Sequence, residues 1–186
     1  MVAILAVVAG LAVASLYRKR IQAASKASHL RNLNPYLDLR KLFLTTSREA
    51  IGIPAPASSD EPWAVAMDWN SGDWIATIVA ASDGTASVYL SNGGGFIGGQ
   101  GVAAINAAAK ACVQKAAAAE SQMLPTKEFP LPAPGEVNLY VLTDSGVRLG
   151  KGTATEFASG RSKFADLASS AQEILTQFRL NDQKPK

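Results

Sequence analysis

Residues 2–16 form an unbroken apolar run without charge, which Tyr17 and the basic triplet Arg18, Lys19 and Arg20 bring to an end. An apolar helix closed by an interfacial aromatic and a cationic cluster has the pattern of a membrane span. At ~1.5 Å per residue, residues 1–17 would cover roughly 25 Å, and snorkelling of Arg18 and Lys19 would accommodate a hydrocarbon core of ~30 Å. The pattern therefore predicts an N-terminal transmembrane helix. A cleaved secretory signal, with Ala12-Val13-Ala14 as its small-residue site, is the competing reading, but no Lys or Arg precedes the apolar stretch. The positive-inside rule then places everything from Arg18 onward in the cytoplasm, as in a single-pass inner-membrane protein with a signal-anchor.

Residues 18–51 read as a basic helical neck. Asn34-Pro35 interrupts it, because the residue before proline avoids the α region. A second short helix fits 37–51, with Leu39, Leu42, Phe43 and Ile51 on one face and Arg40, Lys41 and Arg48 pointing elsewhere. Such a helix would lie on lipid or dock on the domain. Pro54, Pro56 and Pro62 make 52–62 a semi-rigid linker.

A globular domain is expected over 63–180, with 181–186 as a tail. Trp63, Val65, Met67 and Trp69 alternate with smaller or polar residues, a turn follows at Asn70-Ser71-Gly72-Asp73, and 74–80 resumes a β-rich run. Asp83-Gly84 is a preferred tight-turn pair and leads into a third strand over 85–90. A helix is predicted over 102–123 with a stripe of Val102, Ile105, Ala109, Cys112 and Ala116. A proline-rich connection, a hairpin over 137–155 and a last amphipathic helix through Phe164, Leu167, Ile174 and Phe178 complete the chain. The expected class is α+β, an antiparallel sheet of about five strands with two packed helices in the order β-β-β-α-β-β-α. In element order alone, over 63–178, this resembles the profilin-like and roadblock-like sandwiches. The resemblance implies a small scaffolding, sensing or dimerising module and transfers no residue roles.

Charge changes the picture by its position. The formal net is +3, yet residues 17–48 hold eight Lys or Arg against Asp38 alone, so the remainder is mildly acidic. A basic neck of Arg18, Lys19, Arg20 and Lys26 beside an apolar segment suits an anionic lipid bilayer, whereas a nucleic-acid binder carries its basic face on the folded domain. No nucleic-acid partner is expected.

Candidate chemistry is sparse. The run Gly93-Gly94-Gly95-Phe96-Ile97-Gly98, continued by Gly99 and Gly101, satisfies G-x-G-x-x-G between a strand and a helix, so its amides are candidates for holding an anion or nucleotide. A dinucleotide fold would continue into a parallel strand ending in an acid, and no Gly-Lys-Ser/Thr follows, so a structural loop is the competing reading. His29 is the single histidine and lies in the neck, which leaves no partner for a nucleophile in the domain. Cys112 falls on a helical apolar stripe. Asp68 and Asp73 flank one turn and Asp144 serves another, without metal-ligand spacing. No catalytic residue, metal or cofactor is indicated. Trp63, Trp69 and Trp74 concentrate aromatic surface in the first hairpin, as core or as a surface for a protein partner or a second copy. The functional expectation is a membrane-anchored, non-enzymatic scaffold or interaction module, and the alternative is a sensing or enzymatic domain that uses the 93–101 loop.

Overall fold

The computed structural model describes residues 35–182. The chain enters through α1 (Tyr36–Thr45), then forms β1 (Ala64–Asn70), β2 (Ile75–Ala81), β3 (Ala86–Leu90) and β4 (Gly95–Ile97). Helix α2 (Ala103–Glu120), β5 (Leu124–Thr126), β6 (Glu136–Thr143), β7 (Gly146–Thr153), α3 (Ala154–Ala158) and α4 (Ala165–Asp182) follow. The strands make one seven-stranded sheet, ordered β4-β3-β2-β1-β6-β7-β5, in which every pairing is antiparallel.

Helices α2 and α4 cover one face. Their apolar stripes, Ile105, Ala109, Cys112 and Ala116 on α2 and Leu167, Ala171, Ile174 and Phe178 on α4, meet Val65, Met67, Ile78, Val88, Leu139 and Val141 of the sheet. The opposite face has a second core of Ala64, Ala66, Val79, Ala81, Tyr140 and Leu142, closed by Leu44 of α1, Ile53 and Trp63. Because both faces are covered, β1 is buried at nearly every position. Small side chains under α1 let a helix approach the sheet closely, since its distance from the strands is set by the bulk between them.

Local sequence explains the entry into α1. Pro35 lacks an amide proton that a first helical turn would leave unsatisfied, and Asp38 faces the positive end of the helix dipole. The inward stripe is Tyr36, Arg40 and Leu44, at four-residue spacing. Leu39 and Phe43 flank that stripe half-buried, while Leu42 is exposed. Ile51 sits in a separate 3-10 turn, Glu49–Ile51.

Two expectations are corrected here. The sheet has seven strands rather than about five; the two expected helices, α2 and α4, do pack on it, and α1 covers the opposite face. The additional strands, β4 and β5, are three-residue edge strands containing Gly95 and Pro125, too short and too irregular to show an alternating pattern. The transmembrane architecture, and with it the single-pass inner-membrane location with a cytoplasmic domain, is also not upheld. Among the described residues no helix is long and apolar enough to cross a membrane. The two longest, α2 and α4, have 18 residues each but interleave their apolar stripes with side chains such as Lys110, Lys115, Glu173 and Arg179. The segment expected to span, 1–17, lies outside the described residues, as do Arg18, Lys19, Arg20, Lys26 and His29.

Candidate functional site

The sheet face beneath α1 carries a row of polar side chains in register across five strands. Tyr89 of β3 pairs with Thr77 of β2, Thr77 with Asp68 of β1, Asp68 with Asn138 of β6, and Asn138 with Lys151 of β7. The three central residues, Thr77, Asp68 and Asn138, are at most 1% exposed. A carboxylate removed from water needs both a countercharge and hydrogen bonds to be tolerated. Helix α1 supplies the first.

Arg40 reaches down from α1 and donates from Nε and Nη2 to Asp68 Oδ2, at 2.9 and 2.5 Å. Its Nη1 donates to the Phe129 carbonyl at 3.0 Å, and Nη2 also approaches the Pro130 carbonyl and the Tyr140 hydroxyl. The guanidinium lies 5.6 Å from the centre of the Tyr140 ring, which adds a cation–π contact. Asp68 Oδ1 accepts from Thr77 Oγ1 at 2.6 Å. The single Thr77 proton is thereby committed, so in the 3.0 Å contact between Tyr36 and Thr77 the Tyr36 hydroxyl is the donor. The result is a directed chain, Tyr36 to Thr77 to Asp68, with Arg40 closing the other oxygen.

The proline-rich connection forms the wall of the site. The Pro130 carbonyl accepts from the Tyr140 hydroxyl at 2.7 Å and from Asn138 Nδ2 at 3.0 Å, and Asn70 Nδ2 holds the Pro132 carbonyl at 2.8 Å. Proline supplies carbonyls without competing amides, so this stretch is a row of acceptors facing the sheet.

Burial pushes the Asp68 carboxyl up, and the Arg40 hydrogen bonds and charge oppose that shift. The guanidinium stays charged, raised by Asp68 against its own desolvation. Burial, with the Asp68 charge, pushes the Tyr140 hydroxyl up to about 12. These groups saturate one another and are closed to solvent, so the arrangement fixes α1 on the sheet and offers no free acid, base or nucleophile.

The residues expected to form sites are dispersed. Gly93 and Gly94 make the β3–β4 turn with φ of 98° and 82°, and Gly95 belongs to β4. Gly98 precedes the 3-10 turn Gly99–Gly101, and Gly99 is packed against Ile105 and Phe178. The charged group this loop engages is the Asp83 carboxylate, which accepts from Gln100 Nε2 at 3.1 Å and opposes an anion. Trp63 is buried in the second core, whereas Trp69 and Trp74 pack edge-to-face, 5.5 Å apart, beside the first. The three tryptophans therefore form no common surface. Asp68 and Asp73 do not share a cation site, because Asp68 is the partner of Arg40. Asp144 does sit in the β6–β7 turn, where it also accepts from Arg48 Nε at 2.8 Å. A cleft of about 370 Å³ beside this turn contains Thr45, Ser47, Trp63 and Thr143, but its cation, Arg48, is held by Asp144 and Glu49. Cys112 is fully buried, with its thiol pushed up to about 12 by desolvation. Among the described residues no group of three or more His, Cys, Asp or Glu could hold a metal ion.

Sequence reasoning missed the Arg40 site because it took Leu39, Leu42, Phe43 and Ile51 as the inward face of the helix and set Arg40 apart from it, whereas the inward stripe is Tyr36, Arg40 and Leu44. The available signal was Asp68, a lone charge inside the apolar stretch 63–69, with Thr77, Asn138 and Tyr140 also interrupting strand runs.

No family model matches the chain, and neither a curated protein nor a solved structure matches it. The expected likeness to profilin-like and roadblock-like sandwiches is not supported by these comparisons, and the element order on which it was based differs from the observed one.

Proposed function

We propose that the domain is a non-enzymatic interaction module that binds a protein partner or a second copy of itself. The observation that carries this reading is the position of the two most exposed large apolar side chains among the described residues. Ile97 on β4 and Leu124 on β5 are 74% and 75% exposed, one on each edge strand of the sheet. An edge strand presents unpaired backbone groups, and an exposed apolar side chain beside them favours strand addition by another chain. The short length of both strands, with Gly95 and Pro125, limits this to a selective contact rather than open-ended pairing. The buried Arg40–Asp68 pair is consumed in holding α1, which leaves the surface to act. The alternative use of the 93–101 loop for an anion is disfavoured by the Asp83 carboxylate it engages.

Site-specific photo-crosslinking tests the reading. A photoreactive side chain placed at position 97 or 124 of the full chain, in its native cells, is expected to give a discrete adduct, to itself or to one other protein. The same group at the exposed helical position Gln172 serves as the control. Adducts no more discrete at 97 and 124 than at 172 would contradict the proposal.

A further inference from the structure

We infer that β4 is the docking edge of the sheet and that its occupant is the β4 strand of a second copy, joined about a two-fold axis. The inference rests on the reading of the domain as an interaction module and narrows it to one edge and one partner.

The two edge strands differ in the backbone groups they turn outward. Residues of an antiparallel strand bond alternately to the neighbours on its two sides. The Ser71 amide donates to the Trp74 carbonyl at 3.0 Å, which fixes the phase of that alternation in β1 and β2. Carried through the register of β6 and β7, it turns Leu124 and Thr126 toward β7. Pro125, the middle residue of β5, is thereby the one that faces outward, and it has no amide to offer. On the other side of the sheet the Leu90 amide donates to the Gly94 carbonyl at 3.3 Å, so two residues on Val88 and Phe96 are likewise bonded to each other. Gly95 and Ile97 then turn their amides and carbonyls away from β3, and both residues are exposed. The β5 edge is blunted and the β4 edge is open.

The surroundings of β4 favour its own copy as the added strand. Residues 91–101 contain no charged side chain, so two such edges meet without like-charge repulsion. An axis through Phe96 pairs Gly95 of each copy with Ile97 of the other, and every outward amide then meets a carbonyl. The Ile97 side chain, 74% exposed in the single chain, comes to lie over Gly95 of the other copy, where the missing Cβ leaves it room. On the opposite face the two Phe96 rings become cross-strand neighbours, each already stacked on Phe178 with centroids 5.2 Å apart. The joined sheet has β5 at both of its outer edges, so Pro125 ends the assembly at a closed pair. A strand of three residues buries little area, which makes the pair a weak one whose population depends on concentration.

Sedimentation of the full-length chain over a concentration series tests this. Wild type should pass from monomer to dimer in the micromolar range. Ile97→Lys should raise the dimer dissociation constant at least about tenfold, because each pair loses two apolar contacts and gains two cations beside the axis. Ile97→Pro, which deletes the outward amide as Pro125 does on β5, should act in the same direction, and Leu124→Lys should leave the constant unchanged. A photoreactive group at position 97 of the otherwise unaltered chain should give an adduct with a second copy that maps to residues 93–97, and this measurement decides the matter if neither Ile97 variant folds. A chain that stays monomeric up to about 0.1 mM, a dimer insensitive to both Ile97 variants, or equal weakening by Leu124→Lys would overturn the inference. An adduct at 97 to a different protein alone would overturn the second copy while leaving the interaction module standing, whereas the absence of discrete adducts at both 97 and 124 would contradict the module itself.

Discussion

Arg40 and Asp68, 28 positions apart in the chain, meet beneath α1 with Nε 2.9 Å from Oδ2, at 6% and 0% exposure. This pair joins the entry helix to the central strand of the sheet and makes α1 part of the domain's second core. Removing one partner of a buried pair strands the other charge in a medium that solvates it poorly. Arg40→Met and Asp68→Leu should each lower the free energy of unfolding by about 3–5 kcal/mol, measured by urea denaturation. A loss near that of an exposed pair, below about 1 kcal/mol, would show the pair to be wet.

The two halves of the pair should also separate by pH. Burial raises the Asp68 carboxyl and Arg40 restrains it, so Arg40→Met lets it rise further. For a carboxyl whose folded pKa is raised, the stability contribution is complete below the unfolded value of about 3.8 and is lost as pH rises through the folded value. The deficit of Arg40→Met against wild type should therefore shrink as pH falls from about 7 toward about 4. A deficit independent of pH would mean that Asp68 is not left buried and ionisable.

Cys112 should be inert while the domain is folded. With its thiol pushed up to about 12 from an ordinary 9.0, thiol reagents at pH 8 should label it only after denaturation. The same shift, with Tyr140 up to about 12 from 10.0, predicts alkaline destabilisation. The contribution of each group is complete below its unfolded pKa and is lost between that value and about 12. Cys112→Ala should flatten the part of the stability profile above pH 9, and labelling of the folded protein at the rate of the unfolded chain would contradict the burial.

Within the glycine loop, packing and openness separate two positions. A Cβ at Gly99 would lie 2.4 Å from Ile105 Cγ2 and 2.7 Å from Phe178 Cζ, whereas one at Gly101 would meet nothing within 4 Å. Gly99→Ala should lower stability by about 1–3 kcal/mol through overpacking of the α2–α4 core, and Gly101→Ala should be close to neutral. Thermal denaturation of the two variants distinguishes this structural role from a uniform requirement for glycine across the loop.

Much of the sheet was legible in the chain. Val65, Met67 and Trp69 do face the α2–α4 core, Asp83-Gly84 does turn between β2 and β3, and Ile105, Ala109, Cys112 and Ala116 do form the inner stripe of α2. These features depend on local periodicity. The Arg40 site does not, because its charge is tolerated only through Asp68, Phe129 and Pro130, which are distant in sequence and give α1 no local mark. A pattern of apolar and polar positions sets a lone arginine apart from the inward face, and tertiary pairing reversed that assignment. The edge strands escaped for another reason, since three residues interrupted by Gly95 or Pro125 carry too little periodicity to be seen.

The most direct test of the clasp between α1 and the sheet is a double-mutant cycle on Arg40→Met and Asp68→Leu, with unfolding free energies measured in urea. The structure predicts that the double variant is far less impaired than the two single losses added together, with a coupling energy of about 2 kcal/mol or more. Additivity to within about 0.5 kcal/mol would mean that Arg40 and Asp68 do not interact in the folded protein, and that α1 is not held as described.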